Sequence, residues 1–132
     1  MIDMEDLKTH SRIKAELMLH FIIERKGGDL EKSALLQRLL CAVISENLSA
    51  LSRRRIERRG SDLYDGGRKL SVSVATVSPV SMLVHFGLNV DPAGAPVPAK
   101  GIRAYNLNPR AFALGVLEKF AAEMDGIARD VR

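Results

Sequence analysis

Tryptophan is absent from the 132-residue chain, aromatic residues make up 5% of it, and cysteine occurs once. One thiol cannot close an internal disulfide, and there is no second cysteine to build a zinc ligand pair. The shortage of aromatics removes the stacking platforms on which single-stranded nucleic acid is held. No apolar run reaches the ~18–20 residues that span a bilayer, and Met1 to Glu5 is acidic where a signal peptide would be basic and then apolar. A cytoplasmic protein is expected.

What remains is a chain that is 46% hydrophobic, long enough to bury one core and too short for a second of comparable size. A single domain over 1–132 is expected. The net charge of +4 is unevenly spread, because Arg53, Arg54, Arg55, Arg58 and Arg59 lie close together, interrupted only by Ile56 and Glu57. Such a cluster attracts nucleic acid, nucleotide phosphates or an acidic protein partner. The simpler reading is the solvated end of a helix, where cations complement the dipole.

Ile13, Leu17, Met18, Phe21 and Ile22 recur at helical spacing and predict a helix from about Ser11 to Arg25, stopped by Gly27-Gly28. Asp29 reads as the N-cap of a longer second helix whose stripe is Leu36, Leu40, Val43, Ile44, Leu48 and Leu51. Together these helices would cover a sheet. Cys41 falls within the second stripe and reads as a buried structural thiol. His20 and Glu24 stand one turn apart in the first predicted helix, and Asp3, Glu5 and Asp6 lie near the chain start; neither set is assigned a role, and no metal site is expected.

The sheet signal begins at Asp62-Leu63-Tyr64, followed by the turn Asp65-Gly66-Gly67 and a strand from Arg68 to Val77. Ser78-Pro79 ends that strand, and Val80 to Val90 forms the next. An antiparallel meander in an α+β domain is expected. The stretch from Asp91 to Gly101 is rich in proline, glycine and alanine and predicts a surface loop of a length that suits a lid or a connector. Asn108 as N-cap and Pro109 at N1 open a last helix, with Phe112, Val116, Phe120, Met124 and Ile127 on its buried side.

Alternate side chains of a strand share a face. If Leu70, Val72, Val74 and Thr76 join Met82, Val84, Phe86, Leu88 and Val90 in the core, then Lys69, Ser71, Ser73, His85, Gly87 and Asn89 share the other side. That side is small and polar, with one cation at its edge. It suits a wetted outer sheet face, a close helix–sheet contact, or a floor over which a ligand lies against the backbone.

The run Arg68 to Ala75, followed by His85-Phe86-Gly87-Leu88-Asn89-Val90, resembles the core of the biotin protein ligase, lipoate protein ligase and octanoyltransferase superfamily. There a Gly-rich turn delivers a lysine onto a strand of small residues, and the next strand ends in Gly-x-Asn-Val. The segments LMLHFIIE, LLQRLL and DLYDGGRKLSVSVATVSPVSMLVHFGLNVD look like a largely archaeal family of uncharacterised proteins, domain of unknown function 366, whose members are thought to share that fold. The resemblance implies an α+β, class II synthetase-like core with an antiparallel sheet packed by helices. It implies that Lys69 meets the carboxylate and phosphate of an acyl-adenylate, with Asn89 beside the nucleotide or acyl pocket. Gly87 would allow close approach, Ser71 and Ser73 would line the floor, and His85 matches a histidine of the octanoyltransferase motif.

It further implies an acyl cofactor or nucleotide as ligand, an acidic acceptor protein as partner, and ATP with magnesium where adenylation is retained. Two departures stand against full activity. Octanoyltransferases carry a nucleophilic cysteine in a Pro-Cys-Gly-Ile run, where this chain has Pro98-Ala99-Lys100-Gly101-Ile102. Ligases cradle phosphates with a Gly/Arg-rich loop before the lysine, and the arginine cluster lacks the interleaved glycines. Members of the family typically carry a further N-terminal segment, so a shortened chain is expected, with exposed sheet or core surface that favours a homodimer.

Overall fold

The computed structural model describes residues 8–11, 17–92 and 99–131. Asp3, Glu5 and Asp6, Ile13 of the first predicted helix, and residues 93–98 of the predicted surface loop lie outside them. The elements are β1 (Lys8–Ser11), β2 (Leu17–Lys26), α1 (Leu30–Ser52), β3 (Glu57–Arg59), β4 (Asp62–Asp65), β5 (Arg68–Lys69), β6 (Ser71–Val77), β7 (Ser81–Asp91), a short 3-10 helix (Ile102–Tyr105) and α2 (Pro109–Asp130). Two antiparallel sheets form, one in the order β1-β2-β7-β6 and one in the order β3-β4-β5. The expected meander is thus divided between two sheets, with the break at Leu70.

From Leu17 onward the first predicted helix is a strand. Leu19, Phe21 and Ile23 are buried in β2, alternating with half-buried Met18, His20 and Ile22. A continuous apolar run fits helical and extended spacing equally well, and Met18 and Ile22 on one face of β2 are as apolar as Leu19, Phe21 and Ile23 on the other. In an extended chain His20 and Glu24 are four residues apart along the strand rather than one helical turn apart, roughly 13 Å.

The second helix forms as expected. Asp29 caps α1, its Oδ1 accepting from the Lys32 N–H at 2.7 Å. Leu36, Leu40, Val43, Ile44 and Leu48 are buried, whereas Leu51, near the C-terminal end, is 53% exposed. α1 packs on β6 and β7, and α2 packs on α1. By length and composition α1 could cross a membrane; here its apolar stripe is spent on the sheet. Burial pushes the Cys41 thiol up to about 12, as an unreactive core cysteine requires. In α2, Asn108 Oδ1 accepts from the Ala111 N–H at 2.9 Å, Phe112, Val116 and Phe120 are buried and Met124 is half-buried, but Ile127 is 43% exposed.

The slip at Leu70 decides which side chains face the open side. Leu70 and Ser71 are both buried, at 0% and 1% exposure, so inside–outside alternation shifts by one between β5 and β6. The Leu70 N–H donates to the Leu63 carbonyl at 2.9 Å, while the Leu63 N–H donates to Ser71 Oγ at 3.1 Å. The buried hydroxyl replaces a ladder partner for an amide that would otherwise cost about 1–3 kcal/mol. Beyond the slip, Ser71, Ser73 and Ala75 face inward, and Val72 and Val74 face out, 53% and 50% exposed.

Candidate functional site

The outward side of the four-stranded sheet carries an open hollow of about 190 Å3, bordered by His20, Val72, Ser73, Val74, His85 and Gly87. Register explains the grouping, since Val72 pairs with Gly87, Val74 with His85, and Gly87 with His20. Gly87 is buried although its neighbours on that face are open, and a Cβ there would approach Met18 Cε at 2.9 Å. His20 Nδ1 and His85 Nε2 lie 2.8 Å apart, a hydrogen bond between imidazoles on adjacent strands.

The expected floor is therefore only partly the observed one. His85 and Gly87 are on it. Ser71 is not: its hydroxyl is buried against β4. Ser73 borders the hollow but turns its hydroxyl inward, accepting from Gln37 Nε2 at 2.7 Å and donating to the Ser61 carbonyl at 3.3 Å. Their places are taken by Val72 and Val74, so the hollow is more apolar than expected. His20 was hidden by the helical reading: Met18 and Ile22 on its face are as apolar as Leu19, Phe21 and Ile23, so the sequence carries no alternation that would place it here.

Lys69 lies at the end of β5, opposite Tyr64, with its Nζ 3.7 Å from Asp62 Oδ1. Asn89 does not point a free amide at a pocket. Its Nδ2 donates to the Lys69 carbonyl at 3.2 Å and to the Lys100 carbonyl at 3.1 Å. The Lys100 N–H returns a bond to the Lys69 carbonyl at 3.0 Å, and Ala99 pairs with Lys69 in a parallel bridge. Asn89 is thus a clamp on the backbone that carries Lys69. Ala99 and Lys100 dock beside this lysine.

A second cluster fixes the same corner. Asp65, with its side chain 6% exposed, receives Arg54 through two bonds at 2.7 and 3.1 Å, Lys100 Nζ at 3.0 Å and the Tyr105 hydroxyl at 2.6 Å. The Arg54 guanidinium holds the carboxyl well below the usual carboxylate range, aided by Tyr105 and Lys100 and opposed by burial. Burial, and then the bond to Asp65, push the Tyr105 phenol above its ordinary value. These four residues are far apart in sequence, and no local spacing links them.

The arginine cluster does not form one helix face. Arg53 ends α1 in the left-handed region, φ 57°, with its N–H on the Ser49 carbonyl. Arg54 turns to Asp65, Arg58 donates to the Gly60 carbonyl at 2.7 Å, and Arg59 binds Glu57 at 2.8 Å while lying over the Tyr64 ring. Arg55 is exposed in the turn before β3.

Over residues 1–132 the chain matches the family described as domain of unknown function (DUF366). It is 32% identical to an uncharacterized protein of Methanocaldococcus jannaschii, over 100% of this chain and 62% of that protein. Its fold is similar to that of a protein of unknown function from Pyrococcus horikoshi, with a TM-score of 0.82 and 37% identity over 87% of this chain and 62% of that one. It is also similar to a biotin protein ligase variant from Aquifex aeolicus in complex with biotin, with a TM-score of 0.69 and 18% identity over 84% and 52%. A putative lipoate protein ligase from T. acidophilum with bound lipoic acid gives a TM-score of 0.66 and 11% identity over 82% and 52%. The fold is biotin/lipoate ligase-like, and the chain spans less than two thirds of the length of these relatives.

Proposed function

The chain belongs to the DUF366 family, and we propose that its open sheet face binds the acyl body of a carboxylated cofactor of the biotin, lipoate or octanoate class, with Lys69 holding the carboxylate or its adenylate. The observation that carries this reading is the apolar hollow over Val72, Val74 and Gly87, on the strand that directly follows Lys69 in the chain.

In this reading the side chains divide the work. Val72 and Val74 remove apolar ligand surface from water, Gly87 keeps the floor low, and the His20–His85 pair supplies a polar edge. Lys69 offers a cation held by Asp62 in a long ion pair of 3.7 Å, for which a ligand carboxylate would compete. Asn89 positions the Lys69 backbone.

ATP with magnesium is the co-substrate that the ligase resemblance implies. Among the described residues around this corner, Arg54 and Lys100 are engaged by Asp65, and Arg103 by Asp91 at 3.4 Å. They do not make a triphosphate cradle, and no adenylation step is derived from them. The activity proposed is ligand binding.

Thermal unfolding with biotin, lipoate, octanoate and a non-hydrolysable acyl-adenylate analogue tests the proposal. One of them is expected to raise Tm in the wild type and to lose that effect in Lys69→Ala. At a hundredfold excess over Kd the gain is about 2.7 kcal/mol, roughly 8–15 °C for a chain of this size. An unchanged shift in Lys69→Ala, or no shift with any of the four, overturns the reading.

A further inference from the structure

We propose that His20 and His85 form a two-ligand chelate for a divalent cation of the Zn2+, Co2+ or Ni2+ kind on the open sheet face. His20 lies opposite Gly87, and His85 lies opposite Ile22, so the two imidazoles are diagonal neighbours across the β2–β7 pair. The residue between them on that face, Gly87, has no side chain to separate the rings. Their centroids are 4.9 Å apart with the planes tilted by 44°.

The chemistry follows from the atoms that converge. A neutral imidazole has one N–H and one lone-pair nitrogen, and at 2.8 Å His20 Nδ1 and His85 Nε2 share a single proton between two ring nitrogens. A zinc-like ion sits about 2.0–2.1 Å from each ligating nitrogen. With a ligand–metal–ligand angle of about 90–110°, the nitrogens need roughly 2.9–3.4 Å between them. Replacing the shared proton by a metal therefore changes the nitrogen separation little, and asks each ring to turn by about 35–45° so that both lone pairs meet at one ion.

The surroundings fit such a chelate. His85 is exposed and His20 half-buried, so a hydrated ion reaches both from solvent. Val72 and Val74 border the hollow beside the pair and bring no donor atoms of their own. Among the described residues no group of three His, Cys, Asp or Glu converges, so the site is weaker than a closed structural zinc centre. Imidazole donors select Zn2+, Co2+, Ni2+ and Cu2+ over Mg2+ and Ca2+.

The test uses untagged, chelator-stripped protein and the metal alone, so its outcome is independent of the acyl-ligand reading. Calorimetric titration with Zn2+ is expected to give one equivalent per chain, unaffected by Mg2+. Affinity should fall by about tenfold or more in each of His20→Asn and His85→Asn. Zn2+ should also shift the 15N resonances of His20 Nδ1 and His85 Nε2 in the wild type, which needs no variant to fold. His10 is the third histidine of the chain, so binding retained in the double variant would come from elsewhere and overturns the assignment. Absence of binding to the wild type, or ring resonances unmoved by Zn2+, also overturns it.

Discussion

Replacing Asp65 with alanine is expected to lower stability by about 2–3 kcal/mol, seen as a shift of the urea midpoint. The estimate lies below the 3–5 kcal/mol of a fully buried broken pair because the partners are not equally trapped. Arg54 is 53% exposed and Lys100 25%, so both recover water when the carboxylate is removed. The Tyr105 hydroxyl is more enclosed and loses its acceptor. The change should also loosen the site, because Lys100 and Tyr105 flank the segment that docks on Lys69.

The same carboxylate fixes the acid limb. Its folded value lies below its unfolded one, so its contribution is complete above about pH 4 and is lost as pH falls through the depressed folded value. Asp65→Asn should therefore flatten stability against pH below about 4, and the gap between wild type and variant should close in strong acid. A gap that persists undiminished into strong acid would show that the bonds to Asp65 do not depend on its charge.

Gly101→Ala is expected to cost about 2–3 kcal/mol through overpacking. The conformation itself is permitted, since φ −136° and ψ 167° are extended values open to any residue. The obstacle is contact: an added Cβ would run into the Val90 carbonyl and approach the Asn89 oxygen at 3.1 Å. Those are backbone atoms of β7, which cannot swing away as a side chain can. Relief would move the segment off Lys69 and break the Asn89 clamp. Gly67→Ala is the control, because nothing lies within 4 Å of its Cβ position and its φ is not positive. Equal denaturation midpoints for the two variants would contradict this account of Gly101.

Elements with local punctuation were legible in the sequence. Asp29 and Asn108 cap helices where expected, Gly66 takes φ 61° in the β4–β5 turn, and Ser78-Pro79 separates β6 from β7. The face of β7 was also readable, because Met82, Val84, Phe86, Leu88 and Val90 alternate without interruption. Two features were not. β2 is apolar on both sides, so period alone could not separate strand from helix, and with it went His20. The slip at Leu70 depends on a serine hydroxyl bonding an amide of another strand, a long-range event with no signature in its own stretch, and it inverted the side chains of β6. The Asp65 cluster joins positions 54, 65, 100 and 105, which only the folded chain brings together.

Backbone chemical-shift mapping during titration with whichever of biotin, lipoate, octanoate or the adenylate analogue stabilises the protein tests the central claim most directly. The account predicts perturbations centred on Lys69, Val72, Val74, His85 and Gly87, absent in Lys69→Ala. Perturbations confined to Arg53–Arg59, weakening steeply with salt as phosphate contacts do, would contradict it and move the binding surface to the arginines.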